Sequence, residues 1–219
     1  MKIFLDTAHT EFIQKWAHTG LIDGVTTNPT HLSNEGKNPT EQVLTICKIL
    51  PHGVISVEVV ETDPEKIYTQ ARSIAMLADN IAVKIPCHAN YYSVIKRLVD
   101  EGITLNITLV FSLAQGLMMA KLGVRYISPF VGRLDDTGVD GVELVKQLRN
   151  MLDWYGFDTQ LLAASIRDVA HFEAVIRAGA DIATLPTAVF ENALVHSLTD
   201  KGMAQFLADW KKLHISQFP

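Results

Sequence analysis

The feature that most constrains the fold is an alternation of short apolar strands with helical segments, which recurs eight times along the 219 residues. Most of the predicted strands end at or beside a Gly, a Pro or a polar residue. They cover residues 2–6, 24–29, 54–60, 81–86, 104–108, 126–128, 160–165 and 181–185. Strands that alternate with helices in this way are expected to pair in parallel, with the helices outside. Eight such units predict an α/β fold, a closed (β/α)8 TIM barrel.

Helical periodicity fills the segments between these strands. The predicted helices cover residues 10–19, 40–50, 62–78, 90–100, 112–122, 141–155, 168–178 and 188–196. Residues 129–139 are predicted as a long loop. A doubly wound open sheet is the alternative, but no G-x-G-x-x-G motif follows the first strand.

One amphipathic helix, residues 200–213, is left over once the barrel is complete. We therefore expect a catalytic barrel over residues 1–198. Residues 199–219 should form a C-terminal helix and tail. The apolar stripe of this helix must be covered, either by its own barrel or by a neighbouring subunit.

The amino-acid composition limits the classes of protein to which this chain can belong. A chain that is 48% hydrophobic and 20% charged suits one soluble domain with a large core. Residues 103–120 carry no charge, but polar residues interrupt them, so a strand followed by a helix fits better than a membrane span. Two cysteines without a signal peptide predict a cytoplasmic location.

The net charge of −5 argues against nucleic acid as a partner. It also means that a phosphorylated substrate would need cations placed locally. The eight histidines show no metal-ligand spacing, so we expect no metal site.

Lys84 lies near the end of the fourth predicted strand, Ile-Ala-Val-Lys-Ile-Pro. Because side chains alternate along a strand, Lys84 faces away from its apolar neighbours Val83 and Ile85, towards the barrel interior. Burying an ammonium group is costly unless it is paired or gives up its proton. A neutral amine there is a candidate Schiff-base nucleophile. A lysine held in a structural salt bridge is the alternative, and position alone leaves it open.

Polar or ionisable residues recur at the carboxyl ends of the predicted strands, where such barrels carry their chemistry. They are Asp6, Asn28, Glu58, Lys84, Thr108, Ser128 and Ser165. Each has a structural explanation alone, such as an ion pair, a turn or a helix cap. Two carboxylates, an amide and a lysine that converge at one barrel mouth form a costly polar network, which favours a function.

Several ordered segments carry a resemblance to a known family. They are Phe4-Leu5-Asp6-Thr7, Gly24-Val25-Thr26-Thr27-Asn28-Pro29, Val83-Lys84-Ile85-Pro86, Ser128-Pro129-Phe130-Val131-Gly132-Arg133, Ala163-Ala164-Ser165-Ile166-Arg167 and Leu207-Ala208-Asp209-Trp210. Together they resemble the signature segments of the transaldolases, in the short bacterial type that includes the fructose-6-phosphate aldolases. The resemblance spans nearly the whole chain.

The resemblance implies a role for each site residue. Lys84 would form the Schiff base and Asp6 would move protons at the hydroxyls beside the scissile bond. Glu58 and Thr108 would position a water molecule. Asn28 and Ser128 would hold the dihydroxyacetone part of the substrate. The remaining substrate-binding residues would be Thr26 and Phe130, together with Arg133, Ser165 and Arg167 around the phosphate.

The family divides at two of these positions. Its aldolase branch carries glutamine where this chain has Glu58 and tyrosine where it has Phe130, whereas transaldolases carry glutamate and phenylalanine. The resemblance thus implies dihydroxyacetone transfer between sugar phosphates in the pentose phosphate pathway. The imine is the electron sink, so no cofactor is implied. Family members are pentamers and decamers, which implies a homo-oligomer.

Two further hypotheses stay open on the residues. A barrel that only binds a sugar phosphate would keep Arg133, Ser165 and Arg167 but would not need Lys84 beside two carboxylates. A phosphate-binding isomerase would use a carboxylate base and would need no imine. Only imine chemistry predicts a substrate that borohydride links permanently to the protein.

Overall fold

Eight parallel strands close into a barrel in the order β1-β2-β3-β4-β5-β6-β7-β8 in the computed structural model, which describes residues 1–213. The strands are β1 Lys2–Asp6, β2 Gly24–Thr26, β3 Val54–Glu58, β4 Ile81–Pro86, β5 Leu105–Val110, β6 Tyr126–Pro129, β7 Gln160–Ala163 and β8 Ile182–Leu185. The barrel closes where β1 pairs with β8, with Lys2 opposite Ile182. The predicted (β/α)8 barrel is confirmed.

Helices surround the barrel and follow every strand. They are α1 Thr10–Ala17, α2 Pro29–Asn34, α3 Pro39–Ile49, α4 Pro64–Ala75, α5 Tyr92–Asp100, α6 Leu113–Leu122, α7 Val131–Asp135, α8 Gly141–Tyr155, α9 Val169–Arg177, α10 Thr187–Ala193 and α11 Ser197–Lys211. A single 3-10 turn, Ala89–Tyr91, precedes α5. Of the described helices, none is long and apolar enough to span a membrane.

Two layers of apolar packing hold the barrel. The larger layer lies between the strands and the helices. The smaller layer fills the barrel interior with Phe4, Ala82, Tyr126, Leu162, Ala164 and Ile182. Gly24 makes room for it, because a Cβ there would lie 2.7 Å from the Phe4 ring. Since Leu162 and Ala164 also line the cavity above, this inner layer forms the floor of the barrel mouth.

The second predicted strand, residues 24–29, is too long. β2 ends at Thr26, and Asn28 is instead the N-cap of α2, a helix of six residues that the sequence interpretation missed. The Asn28 side chain accepts a hydrogen bond from the His31 backbone N–H, and Pro29 occupies the first helical position. A helix this short shows too few turns for a hydrophobic period to be visible.

The predicted loop at residues 129–139 contains α7, which carries Arg133. Its first N–H groups do not rely on local capping. The Val131 N–H donates to the Ala164 carbonyl at 2.9 Å, and the Gly132 N–H donates to the Ser165 carbonyl at 3.1 Å. These are contacts with the segment after β7, so no sequence signal within residues 129–139 predicts the helix.

Smaller differences concern boundaries. β3 ends at Glu58, β5 runs on to Val110, and Ser165 lies beyond the end of β7 in a left-handed conformation with φ 62°. A positive φ is uncommon for a residue with a side chain and often marks a functional site.

The leftover helix is present as α11, which begins three residues earlier than predicted. None of its residues is buried. Its exposed apolar side chains are Leu198, Met203, Phe206, Leu207 and Trp210. Residues 214–219 of the expected tail lie outside the described residues.

Candidate active site

A polar cavity of about 120 Å³ opens at the carboxyl ends of the strands. Its lining includes all of the predicted site residues except Glu58 and Arg167. The lining residues are Asp6, Thr26, Asn28, Lys84, Asn106, Thr108, Ser128, Phe130, Arg133, Leu162, Ala164, Ser165 and Thr184. The fold thus brings residues from seven strands and their loops to one place.

Lys84 stands at the centre of this site on β4. Its side chain is buried, with only 5% of the residue exposed. Glu58 faces it from β3 in the paired register, and the Lys84 Nζ lies 3.0 Å from Glu58 Oε2. The same Nζ donates to the Thr27 carbonyl at 2.9 Å. A buried ammonium group therefore has two acceptors, one of which is a carboxylate able to take a proton from it.

Asp6 lies across the cavity on β1 and is held by a chain of hydroxyls. Thr26 Oγ1 donates to Asp6 Oδ1 at 2.8 Å. Thr184 Oγ1, on β8, lies 2.6 Å from Thr26 Oγ1. With Thr26 donating to the carboxylate, Thr184 is the donor to Thr26. The chain fixes the carboxylate orientation and leaves Asp6 partly exposed to the cavity.

Asn106, on β5, organises a second buried hydrogen-bond chain. Its Oδ1 accepts from Ser128 Oγ at 2.6 Å, and its Nδ2 donates to Ser56 Oγ at 3.1 Å. Asn106 is opposite Lys84 in the strand register and completely buried. Satisfied buried networks of this kind are rigid, so Ser128 has a defined orientation below the mouth.

Thr108 differs from its neighbours because its buried Oγ1 has no hydrogen-bond partner among the described residues. It lies in the cavity wall just before Leu109, which has φ 57°, at a register shift between β5 and β6. An unpaired buried hydroxyl is costly. A small polar guest or a water molecule beside Lys84 would satisfy it.

The outer end of the cavity carries the cation Arg133. Its guanidinium lies 4.9 Å from the centre of the Phe130 ring. Phe130 in turn packs edge-on against Phe111, with ring centres 6.2 Å apart. Ser165 lines the same cavity, and its carbonyl accepts a hydrogen bond from the N–H of Gly132, the residue before Arg133. A guanidinium with a nearby hydroxyl is a suitable phosphate site.

Arg167 forms an exposed ion pair beside the cavity. Its guanidinium donates to Asp136 Oδ2 at 2.6 Å, and both side chains are more than half exposed. It lies outside the cavity lining, although its Nε is only 2.6 Å from where a Cβ on Gly132 would be. Arg167 thus borders α7 without facing the barrel mouth in this structure.

Three residues of the site were missed. Asn106 and Thr184 sit in the interior of strands, whereas the sequence interpretation considered strand ends. The available signal was a polar residue on the inward face of the strand, next to Thr108 in β5 and alone in β8. His31 was missed with α2; its Nδ1 lies 3.6 Å from Asp6 Oδ1.

Both cysteines are free and neither lines the cavity. Burial raises the pKa of Cys47 to about 11, and burial also raises the pKa of Cys87. Neither thiol is a ready nucleophile at neutral pH. Within residues 1–213, no cluster of three or more His, Cys, Asp or Glu side chains could hold a metal ion.

Comparison with solved structures supports the fold. A crystal structure of 3-hexulose-6-phosphate synthase is similar with a TM-score of 0.64 at 17% identity, over 87% of this chain and 92% of that one. Thiamine phosphate pyrophosphorylase from Pyrococcus furiosus gives a TM-score of 0.59 at 16% identity, over 86% of each chain. At such low identity the likeness extends to the barrel alone.

Sequence comparison is far more specific. The chain is 50% identical to a probable transaldolase of Lactiplantibacillus plantarum, over 99% of this chain and all of that one. It is 46% identical to probable transaldolase 2 of Listeria monocytogenes, over 96% of each. The family model for transaldolase/fructose-6-phosphate aldolase matches residues 3–217. This chain therefore belongs to the transaldolase/fructose-6-phosphate aldolase family.

Proposed function

We propose that this protein is a transaldolase that converts sedoheptulose 7-phosphate and glyceraldehyde 3-phosphate into erythrose 4-phosphate and fructose 6-phosphate. The observation that carries the proposal is the buried Lys84 amine, held against the Glu58 carboxylate at the base of a polar cavity. A non-catalytic sugar-phosphate barrel would have no use for this pair. The names of the relatives at 45–50% identity agree with the proposal.

Glu58 serves the first step. It lies within proton-transfer distance of Nζ, so it takes a proton from the ammonium and leaves the amine free to attack the ketose carbonyl. A C–N bond forms as the carbonyl π bond opens, and the carbonyl oxygen takes up the proton that the nitrogen loses. The hydroxyl of the resulting carbinolamine then leaves as water, with a proton supplied from Glu58, and an iminium remains on Lys84. Thr108 holds the water with its unpaired hydroxyl.

Asp6 serves the bond cleavage. Its carboxylate accepts the proton of the hydroxyl beside the scissile C–C bond, and the bonding electrons pass into the iminium to give an enamine. The aldose phosphate leaves with a new carbonyl group. When the second aldose arrives, the enamine carbon attacks its carbonyl and Asp6 returns the proton to the new hydroxyl. Hydrolysis of the imine then frees the ketose.

Phe130 favours transfer over release. Release of free dihydroxyacetone requires the enamine carbon to be protonated before the imine is hydrolysed. The Phe130 ring lines the cavity and offers neither a donor nor an acceptor for that proton. The enamine should therefore survive until an acceptor aldehyde binds. Fructose-6-phosphate aldolase activity, with release of dihydroxyacetone, is the alternative within the same family.

Arg133 and Ser165 bind the substrate phosphate in this proposal, because they supply a cation and a hydroxyl at the outer end of the cavity. Arg167 packs against Gly132 of α7, the helix that carries Arg133, and is paired with Asp136 in an exposed ion pair. Such a pair is weak, so a phosphate dianion can compete for the guanidinium.

We also propose a homo-oligomer, a pentamer or decamer, in which α11 packs on a neighbouring copy of the barrel. Residues 1–198 would then form the catalytic barrel and residues 199–219 the assembly arm. The support is the apolar surface that α11 leaves exposed, including Phe206 and Leu207. A cytoplasmic location is supported by the two free thiols.

Trapping with borohydride tests the function. The wild-type protein, incubated with fructose 6-phosphate and borohydride, should gain the mass of a reduced dihydroxyacetone adduct at Lys84. Given erythrose 4-phosphate, it should form sedoheptulose 7-phosphate faster than free dihydroxyacetone. Lys84→Met keeps an unbranched side chain of similar length and removes the amine, so it should fold normally and lose both reactions. Substrate-dependent trapping that persists in Lys84→Met would refute the assignment.

A further inference from the structure

We propose that His31 is a positioning residue that ties Asp6 to Asn28 through its neutral Nδ1–H tautomer. The imidazole would orient the proton acceptor and the amide that holds the dihydroxyacetone unit together. The inference rests on the proposed function, which makes Asp6 the proton acceptor, and on the role in holding dihydroxyacetone that the family resemblance implies for Asn28.

The geometry places the ring between the two side chains. His31 lies in the first turn of α2, and its Nδ1 is 3.6 Å from Asp6 Oδ1. The Asn28 Nδ2 lies 3.3 Å from Nδ1 and 3.4 Å from Nε2. The 3.6 Å gap to Asp6 Oδ1 is longer than a hydrogen bond and too short for a bridging water, so the proposal requires a small rotation of the ring to bring Nδ1 within hydrogen-bond distance.

Charge decides which ring nitrogen carries the proton. A carboxylate accepts only, so Nδ1 must be protonated to face Asp6 favourably. The amide nitrogen of Asn28 donates only, and it lies almost equally far from both ring nitrogens, so whichever nitrogen is unprotonated can accept from it. When Nδ1 carries the proton for Asp6, Nε2 keeps its lone pair and faces Asn28. The Nδ1–H tautomer satisfies both neighbours at once. The Nε2–H tautomer would place the Nδ1 lone pair against the Asp6 carboxylate.

The imidazole is not needed for the helix. The cap of α2 uses the His31 backbone N–H, which donates to Asn28 Oδ1 at 2.9 Å, and this bond survives any side chain at position 31. The His31 side chain is also about a quarter exposed, so it fills no sealed part of the core. The imidazole is therefore required neither for the cap of α2 nor for sealing the core.

Two substitutions of His31 separate its contact with Asp6 from its contact with Asn28. His31→Leu removes both ring nitrogens, so it should lower kcat about 10-fold, because Asp6 loses an oriented donor, and it should raise KM severalfold. His31→Asn places an amide N–H near the former Nδ1 and nothing near Nε2. It should restore kcat towards the wild type while KM stays raised. His52→Leu, in the exposed turn before β3, is the matched control and should change neither.

A spectroscopic measurement tests the His31 tautomer independently of the rate of turnover. Nitrogen-15 shifts of the His31 ring at pH 8, assigned by their loss in His31→Asn, should show a protonated Nδ1 and an unprotonated Nε2. Borohydride trapping at Lys84 should persist in His31→Leu. An Nε2–H tautomer, or equal kcat in His31→Leu and wild type, would overturn the inference while leaving transaldolase activity intact. A wild type that neither transfers nor traps substrate would instead refute the proposed function and the inference with it.

Discussion

At the residue scale, Phe130 should decide between transfer and release. Phe130→Tyr adds a hydroxyl to a ring that lines the cavity, and this group can supply a proton or place a water near the enamine. We expect the ratio of dihydroxyacetone release to sedoheptulose 7-phosphate formation to rise severalfold. Adding Glu58→Gln should move the ratio further in the same direction.

Phe111→Tyr is the control for this experiment, because Phe111 contacts Phe130 but does not line the cavity. The ratio of dihydroxyacetone release to sedoheptulose 7-phosphate formation should be the same in Phe111→Tyr as in the wild type. If wild-type protein already released dihydroxyacetone faster than it transferred it, the argument from Glu58 and Phe130 would be wrong and the chain would act as an aldolase.

The two arginines should differ in their effects on phosphate binding. Arg133→Ala removes a cation that faces the cavity, so it should weaken binding of phosphorylated substrates by roughly 1.5–3 kcal/mol, seen as a raised KM. Arg167→Ala should have the smaller effect, since its guanidinium is engaged with Asp136. Unphosphorylated acceptor aldehydes should be affected little. Equal losses with both kinds of acceptor would show that the arginines act on structure alone.

Polar site residues near the ends of strands could be predicted from the sequence, whereas others within the strands could not. Lys84, Asp6 and Ser128 were predicted because a polar residue at the end of an apolar strand stands out. Thr184 did not stand out, since threonine is common in strands of any kind. Its place in the site depends on closure of β8 onto β1, which brings its hydroxyl to Thr26 across 158 positions of sequence.

At the scale of elements, the short helix α7 is the part of the site most dependent on close packing. A Cβ on Gly132 would overlap the Ser165 carbonyl and lie 2.6 Å from Arg167 Nε. Gly132→Ala must therefore shift α7, which carries Arg133, relative to the segment at Ser165. We expect a stability loss of about 1–3 kcal/mol in chemical denaturation, together with a raised KM for phosphorylated substrates.

Gly202→Ala is the matched control for this substitution. Gly202 lies within α11, and a Cβ there would meet nothing within 4 Å. Alanine should leave activity unchanged and favour the helix by roughly 0.5–1 kcal/mol. If Gly132→Ala changed stability and KM as little as Gly202→Ala, the close packing of α7 against Ser165 would not be required.

Long elements were predictable and short ones were not. The eight strands and the main helices follow from hydrophobic period and from Gly and Pro stops, with shifts of a few residues at their ends. α2 and α7 have six and five residues, and each follows a strand directly. α7 is held by neighbours distant in sequence, which no local pattern records. α2 has local start signals in Asn28 and Pro29, but it is too short to show a hydrophobic period.

At the scale of the whole molecule, α11 should control assembly. Phe206→Asp together with Leu207→Asp places two charges on its exposed apolar face. We expect a smaller assembly by light scattering after size exclusion, because a charge buried at an interface without a partner is costly. The barrel should unfold at nearly the same temperature as before, apart from any loss due to dissociation.

Substituting exposed apolar residues elsewhere gives the control. Met76→Asp changes a side chain that is 83% exposed beyond the end of α4. It should leave the mass of the assembly unchanged. An unchanged mass for the α11 double variant as well would show that α11 is not the contact between copies.

The pairing of β1 with β8 can form only after all eight strands of the barrel have been translated. Residue 2 pairs with residue 182, so during translation β1 waits for a partner that is made 180 residues later. Until then the nascent chain carries two unpaired sheet edges, which invite pairing with other chains. Lys84 and Glu58 already neighbour each other in the first half of the chain, whereas the hydroxyl that orients Asp6 through Thr26 arrives only with β8. Nascent chains should consequently depend on protection from aggregation until the last strand is in place.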